Sequence, residues 1–97
     1  MSISIRFYHN AGDVDNQETI VDGIDPNSTT CEQLIRKFCE KSRTPFTTNT
    51  DKIAFLYNAK ALNSKIFLNR TLSSINLKRT GKNIIIKDMA HLLGQNH

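Results

Sequence analysis

The chain of 97 residues has room for one domain, and its net charge of +4 at pH 7 is unevenly distributed. A hydrophobic fraction of 38% fits a small folded domain, and no stretch approaches the roughly 20 apolar residues that a transmembrane helix requires. Residues 1–28 carry one base and five acids, whereas residues 29–97 carry twelve bases and four acids. This layout predicts either a solvated surface with uneven charge or a cationic side that attracts an acidic partner.

The N-terminal residues alternate between apolar and polar and do not form the charged and apolar segments of a secretory signal. Cys31 and Cys39 lie about 12 Å apart if they share one helix, which is too far for a disulfide. Unpaired cysteines are typical of a reducing compartment. We therefore expect a cytoplasmic or nuclear protein.

The first part of the chain predicts a β-hairpin. Residues 3–7 alternate between apolar and polar, which indicates a half-buried strand. Residues 9–17 contain Asn10, Gly12 and polar neighbours and predict a hairpin loop, and residues 18–24 predict the returning strand. Because the alternation is interrupted in that strand, we expect Gly23 to mark a β-bulge.

A helix is predicted next. Thr29 and Glu32 fit a capping box, in which each side chain bonds the backbone N–H of the other residue. The helix that follows has five apolar residues at the spacing of one buried face. These residues are Cys31, Leu34, Ile35, Phe38 and Cys39. Pro45 lies in the polar loop after the helix.

The second half predicts three further strands, a tight turn and a short helical turn. In residues 53–57, Ile53, Phe55 and Tyr57 alternate with Ala54 and Leu56, which predicts a strand. Residues 58–60 predict a turn into a second short strand. Residues 71–75 predict a helical turn capped by Thr71. Gly81 supplies a turn before residues 84–86, an apolar run typical of a central strand.

This order of elements resembles the ubiquitin-like (β-grasp) superfamily, to which ubiquitin and SUMO belong. The similarity is strongest in L-Y-N-A-K-A-L (residues 56–62) and T-L-S-S-I-N-L (residues 71–77), and residues 36–41 resemble the middle helix of SUMO-type members. The turn glycine common in the family is Ala59 here.

The resemblance implies an α+β fold, with one helix packed across a mixed sheet of four to five strands. The first and last strands are expected to pair in parallel at the centre. It implies a ubiquitin-like domain over residues 1–88 and a flexible tail over residues 89–97.

The resemblance also implies a protein-docking patch on the outer face of the sheet. The central isoleucine of that patch falls on Leu56, and two further positions on the last strand fall on Ile85 and Lys87. The alternative is that Leu56 is simply an exposed apolar residue, which is common on protein surfaces.

SUMO-type members also bind a partner strand in the groove between the second strand and the helix. Arg36, Lys37 and Lys41 are candidates for a basic rim of that groove. Glu18 and Asp22 on the second strand would repel an acidic peptide there, and the same acids argue against GTPase binding of the Ras-binding type.

Covalent tagging in this family requires a tail that ends in Gly-Gly. The chain offers Leu92 and Leu93 followed by the single Gly94, so a modifier processed near Gly94 is an alternative and a non-conjugating domain is favoured. We expect a monomer, without a membrane segment, that binds receptors of ubiquitin-like domains.

Other chemistry has weaker support in the sequence. The histidines lack metal-ligand spacing, and the spacing of Cys31 predicts a core residue rather than a nucleophile. We therefore expect no enzyme activity, cofactor or metal. Arg70, Lys78, Arg79 and Lys82 form the densest basic cluster, so binding of nucleic acid or anionic lipid is a further alternative, disfavoured because stacking aromatics are absent there.

Overall fold

The structure, a computed structural model, describes residues 2–9 and 17–90 as one helix packed across a five-stranded sheet. The elements are β1 (Ile3–His9), β2 (Gln17–Ile24), α1 (Cys31–Ser42), β3 (Ile53–Tyr57), β4 (Lys60–Ala61), a 3₁₀ turn (Ser73–Ile75) and β5 (Asn83–Asp88). The strand order is β2-β1-β5-β3-β4, and β1 pairs with β5 in parallel while the other neighbours are antiparallel. The predicted α+β layout with parallel first and last strands is confirmed.

The β1–β2 pairing contains the expected bulge. Ile3 lies opposite Ile24 and Ile5 lies opposite Val21, so β2 contains one residue more than β1 between these two pairs. Gly23 has φ +70°, a conformation that glycine adopts without steric cost. The bulge therefore resets the phase of β2 and keeps both Val21 and Ile24 in the core.

The core fills the space between α1 and the inner face of the sheet. The five apolar helix residues predicted from their spacing are all buried. Phe38 stacks on Phe7 with ring centroids 4.4 Å apart, and Phe55 meets Phe38 edge-on at 5.5 Å. Such a three-ring cluster joins the helix to both halves of the sheet.

The N-cap of α1 is Thr30, so the prediction of a capping box at Thr29 and Glu32 is wrong by one residue. The Thr30 hydroxyl accepts from the Gln33 N–H at 3.2 Å, and the Gln33 side-chain oxygen accepts from the Thr30 N–H at 3.0 Å. Thr29 instead belongs to the preceding turn, where its N–H donates to the Asp25 carbonyl. The box is therefore Thr-x-x-Gln.

The short turn near residue 73 also differs from its prediction. Thr71 does not cap it through its side chain, because the turn starts after Leu72 and has no side-chain cap. The Thr71 carbonyl instead accepts from the Ser74 hydroxyl at 2.7 Å. The apolar residues of this segment are buried, as predicted: Leu72, Ile75 and Leu77.

The β3–β4 connection is a two-residue turn. Asn58 and Ala59 both have positive φ, 52° and 65°, which is the geometry of a type I′ hairpin turn.

Asn63, which is fully buried, donates to the Thr47 and Ile53 carbonyls and accepts from the Phe55 N–H. One amide side chain thus ties β3 to the loops on either side of it.

Candidate functional site

The outer face of the sheet is produced by the alternation of β5. Ile84 and Ile86 are buried against the core, whereas Ile85 is 40% exposed and Lys87 is exposed. In β3, Phe55 points inward and Leu56 is half-buried. The three residues that the sequence predicts for a docking patch therefore share the face of the sheet that α1 does not cover.

Strand pairing extends this patch into a continuous row. Leu56 lies directly opposite Ile85, and Ile85 is the register partner of Tyr8 on β1. On the other side, Leu56 lies opposite Ala61 of β4. We call Tyr8, Ile85, Leu56 and Ala61 the apolar row; it crosses four of the five strands.

The sequence did not reveal Tyr8 and Ala61 as members of the row. Tyr8 follows the alternation of β1, so its outward direction was available from the local pattern. Its position beside Ile85 depends on the parallel register of strands that lie far apart in the sequence. Lys87 lies two residues along β5 from the row, opposite Ala54, which is only 7% exposed.

The β2 side of this face carries acids that are already engaged. Arg6 Nε lies 3.1 Å from Glu18 Oε1, an ion pair without an aligned hydrogen bond. The Ser4 hydroxyl donates to Asp22 Oδ1 at 2.6 Å. Ile20, 39% exposed, lies opposite Arg6 and adds an apolar side chain beyond this pair.

The three bases predicted for the rim of the β2–α1 groove all lie on α1, and their side chains make different contacts. Lys41 Nζ donates to the Ile20 carbonyl on β2. Arg36 instead pairs with Glu32 at 2.8 Å and lies over the Phe46 ring at 4.0 Å. Lys37 is exposed on the helix. Because Lys41 occupies a backbone acceptor of β2, an added strand would have to displace its ammonium group.

The two thiols are part of the core. Burial raises the pKa of Cys31 to about 11, and it raises the pKa of Cys39 to about 11 as well. Both thiols are therefore protonated at neutral pH, which is the unreactive form.

Among residues 2–9 and 17–90, no group of three or more His, Cys, Asp or Glu side chains could hold a metal ion. No helix in that part of the chain has the length and apolar character needed to cross a membrane.

Known structures with this architecture were found by comparison of the folds. The solved structure of Caldiarchaeum subterraneum ubiquitin superimposes with a TM-score of 0.62, at 16% sequence identity, and the match covers 91% of this chain and 94% of that one. The chain has a ubiquitin-like fold. A ubiquitin-like protein from the same archaeon also matches, with a TM-score of 0.48, 15% identity and coverage of 89% of this chain and 95% of that one.

No protein-family model and no curated protein sequence matches the chain. At 16% identity the structural likeness concerns the fold, so the role of each side chain in this ubiquitin-like domain follows from its own geometry. Gly94, the predicted processing position, lies outside the described residues, as does most of the predicted tail over residues 89–97.

Proposed function

We propose that this ubiquitin-like domain is a non-catalytic interaction module that docks other proteins on the apolar row. The observation that carries the proposal is the direct pairing of Leu56 with Ile85 on the face that α1 leaves uncovered. Tyr8 and Ala61 extend this pair across the neighbouring strands.

Two features support a docking role for this face. First, its centre is apolar and its margins are polar, the arrangement common in protein–protein interfaces. Second, Ile85 is 40% exposed although its neighbours along β5 are buried, and Ile20 adds a further exposed apolar side chain on β2. The core does not need either side chain, so partner binding can employ both.

The proposal is tested by affinity capture with matched variants. The wild-type domain, Leu56→Arg and Ile66→Arg are each used to capture proteins from extracts of the source organism. Ile66 is 73% exposed on the loop after β4 and provides a control of equal chemical change away from the row. We expect the captured proteins to be lost with Leu56→Arg and retained with Ile66→Arg, while circular dichroism shows both variants folded.

Two outcomes would contradict the proposal. Partners that survive Leu56→Arg would show that another surface binds them. A ladder of higher bands on a denaturing immunoblot of the native protein, abolished by deletion of Gly94, would instead identify a covalent modifier. Deletion of Gly94 should leave docking on the apolar row unchanged.

A further inference from the structure

The pairing of β3 with β5 stops before either strand ends, and this leaves an open notch at one end of the sheet. The last pair in the register of the two strands is Leu56 with Ile85. Beyond that pair, Tyr57 pairs toward β4, whereas Asn83 pairs toward β1. The two strands therefore separate, and the notch between them has a volume of about 380 Å³.

The walls of the notch are rich in hydrogen-bond donors. It is lined by Tyr57, Asn58, Gly81, Lys82 and Asn83. Lys82 supplies an ammonium group, and Asn58 and Asn83 supply side-chain amides, all of which donate N–H groups. Among the residues that the structure describes, no carboxylate lines the notch. This lining suits an anion with several acceptor oxygens.

The two segments that frame the notch carry positive charge alone. Residues 57–60 and 76–83 contain four bases and not one aspartate or glutamate. These bases are Lys60, Lys78, Arg79 and Lys82. None of them takes part in the ion pairs of the described residues, which join Arg6 to Glu18, His9 to Asp88 and Arg36 to Glu32. Their charge is therefore available to a ligand.

Hydrogen bonds hold the segment 76–83 against the sheet at both of its ends. At its start, the Asn76 carbonyl accepts from the Tyr57 hydroxyl at 3.1 Å. Near its end, Thr80 Oγ1 accepts from the Ser4 N–H at 3.1 Å, and the Lys82 carbonyl accepts from the backbone N–H of β1 at 3.3 Å. The bases of this segment are thus kept close to the notch.

The acid Asp22 lies beside a different cleft. Gly81 borders both the notch and that second cleft, which is also lined by Ser4, Arg6 and Asp22. Asp22 accepts the Ser4 hydroxyl there at 2.6 Å. The notch therefore keeps its uniform positive charge, and a cleft lined by charge of one sign concentrates ions of the opposite sign.

We propose that the notch and the four bases around it form a binding site for the polyphosphate group of a small soluble molecule. One phosphate accepts hydrogen bonds from Lys82, Asn58 and Asn83 in the notch, and the other three bases attract the remaining negative charge. The volume of the notch lies within the range of small-molecule sites, about 300–1,000 Å³. This site is separate from the apolar row and does not depend on the proposed function.

A compact polyphosphate fits this end of the domain better than a nucleic acid does. Single strands require exposed aromatic side chains for stacking, and every aromatic side chain among the described residues is buried or half-buried. A duplex-binding protein that makes roughly 6–10 phosphate contacts spreads its bases along the helix. Here the bases gather around a single notch.

The test is calorimetric titration of the whole chain with sodium tripolyphosphate at physiological ionic strength, with sodium sulfate as the control anion. Two pairs of matched variants are compared. Lys82→Gln removes a charge at the notch, and Lys65→Gln removes one on the loop after β4. Asn83→Asp places a carboxylate in the notch, and Asn69→Asp places one on the same distant loop. All four residues are exposed, and circular dichroism checks that each variant is folded.

We expect tripolyphosphate to bind the wild-type chain one to one and sulfate to bind far more weakly. Affinity should fall roughly tenfold with Lys82→Gln and at least as much with Asn83→Asp, because each loses a hydrogen bond to a charged group. Lys65→Gln and Asn69→Asp should change it less than about twofold. Ile85→Ala, which alters the apolar row but no charge, should bind tripolyphosphate as the wild-type chain does.

Three outcomes would overturn the proposal. Equal losses with Lys65→Gln and Lys82→Gln would show that only diffuse charge attracts the anion. Binding to vesicles that contain a phosphorylated inositol lipid, without binding of soluble tripolyphosphate, would assign these bases to a membrane surface. Tighter binding of a duplex oligonucleotide than of tripolyphosphate, weakened by both lysine variants, would assign the whole cationic half to nucleic acid.

Discussion

The two faces of the sheet are made by alternate residues of the same strands, and they differ in what holds their side chains in place. On the inner face, Phe7, Phe38 and Phe55 contact one another and α1, so each ring is fixed by several neighbours. On the outer face, Leu56 is half-buried and Ile85 is 40% exposed, and α1 does not cover this side of the sheet. The inner face therefore stabilises the fold, and the outer face is the one on which we propose that partners dock.

The largest effect is expected from breaking the inner face. Phe38→Ala removes the ring that stacks on Phe7, and we expect a loss of about 3–5 kcal/mol in the free energy of unfolding. The matched outer-face variant, Ile85→Ala, should cost less than about 1 kcal/mol because that side chain is already 40% exposed. Urea denaturation of both variants measures the difference, and equal losses would contradict the division between the faces.

A smaller loss is expected from the buried amide that ties β3 to its loops. Asn63→Ala removes partners from the Phe55 N–H and from the Thr47 and Ile53 carbonyls, at a cost of about 2–4 kcal/mol. Asn69→Ala, in the same loop as Asn63, is the control, because Asn69 is exposed and does not have a positive φ. If Asn63→Ala unfolds at the same urea concentration as wild type, the amide does not hold β3 as described.

The N-cap of α1 gives a prediction of intermediate size. Thr30→Ala should cost about 1 kcal/mol, because the Gln33 N–H loses its acceptor. Thr29→Ala should cost less, since in the structure the contacts of that residue are made by its backbone. Thermal or urea unfolding measures both losses. A larger loss for Thr29→Ala than for Thr30→Ala would contradict the cap at Thr30 and support one at Thr29.

The smallest effect on stability is expected on the outer face. Leu56→Arg should change the free energy of unfolding by less than about 1 kcal/mol, because the long side chain can extend into water from a half-buried position. The same variant should abolish partner binding. A large loss of stability would show that Leu56 belongs to the core and would remove it as a probe of docking.

The inner face was predictable from the sequence because burial imposes a regular spacing on the chain. The helix stripe from Cys31 to Cys39, the phase break at Gly23 and the segment from Leu72 to Leu77 all follow local patterns, and the structure bears them out. The cap of α1 was missed because Thr29 and Thr30 are adjacent and each has a suitable residue three positions later. Thr29 is held outside the helix by a turn, in which its N–H donates to the Asp25 carbonyl, and by a tertiary contact, in which its carbonyl accepts from the Leu72 N–H.

The outer face was predictable only in part. Leu56 and Ile85 were identified through the resemblance, but the full apolar row depends on the register between strands that are distant in the sequence. The contacts of Arg36 with Phe46 and of Lys41 with β2 likewise depend on how the helix lies on the sheet. Local spacing carries no information about either arrangement.

The most direct test of the account is a two-dimensional ¹⁵N–¹H spectrum of the labelled wild-type chain, recorded during titration with a partner captured by the domain. The account predicts that the amides that shift lie on the outer face around Tyr8, Leu56 and Ile85, with a further shift at Lys87. Shifts confined to the loop around Ile66, or to α1 and the edge of β2, would contradict it.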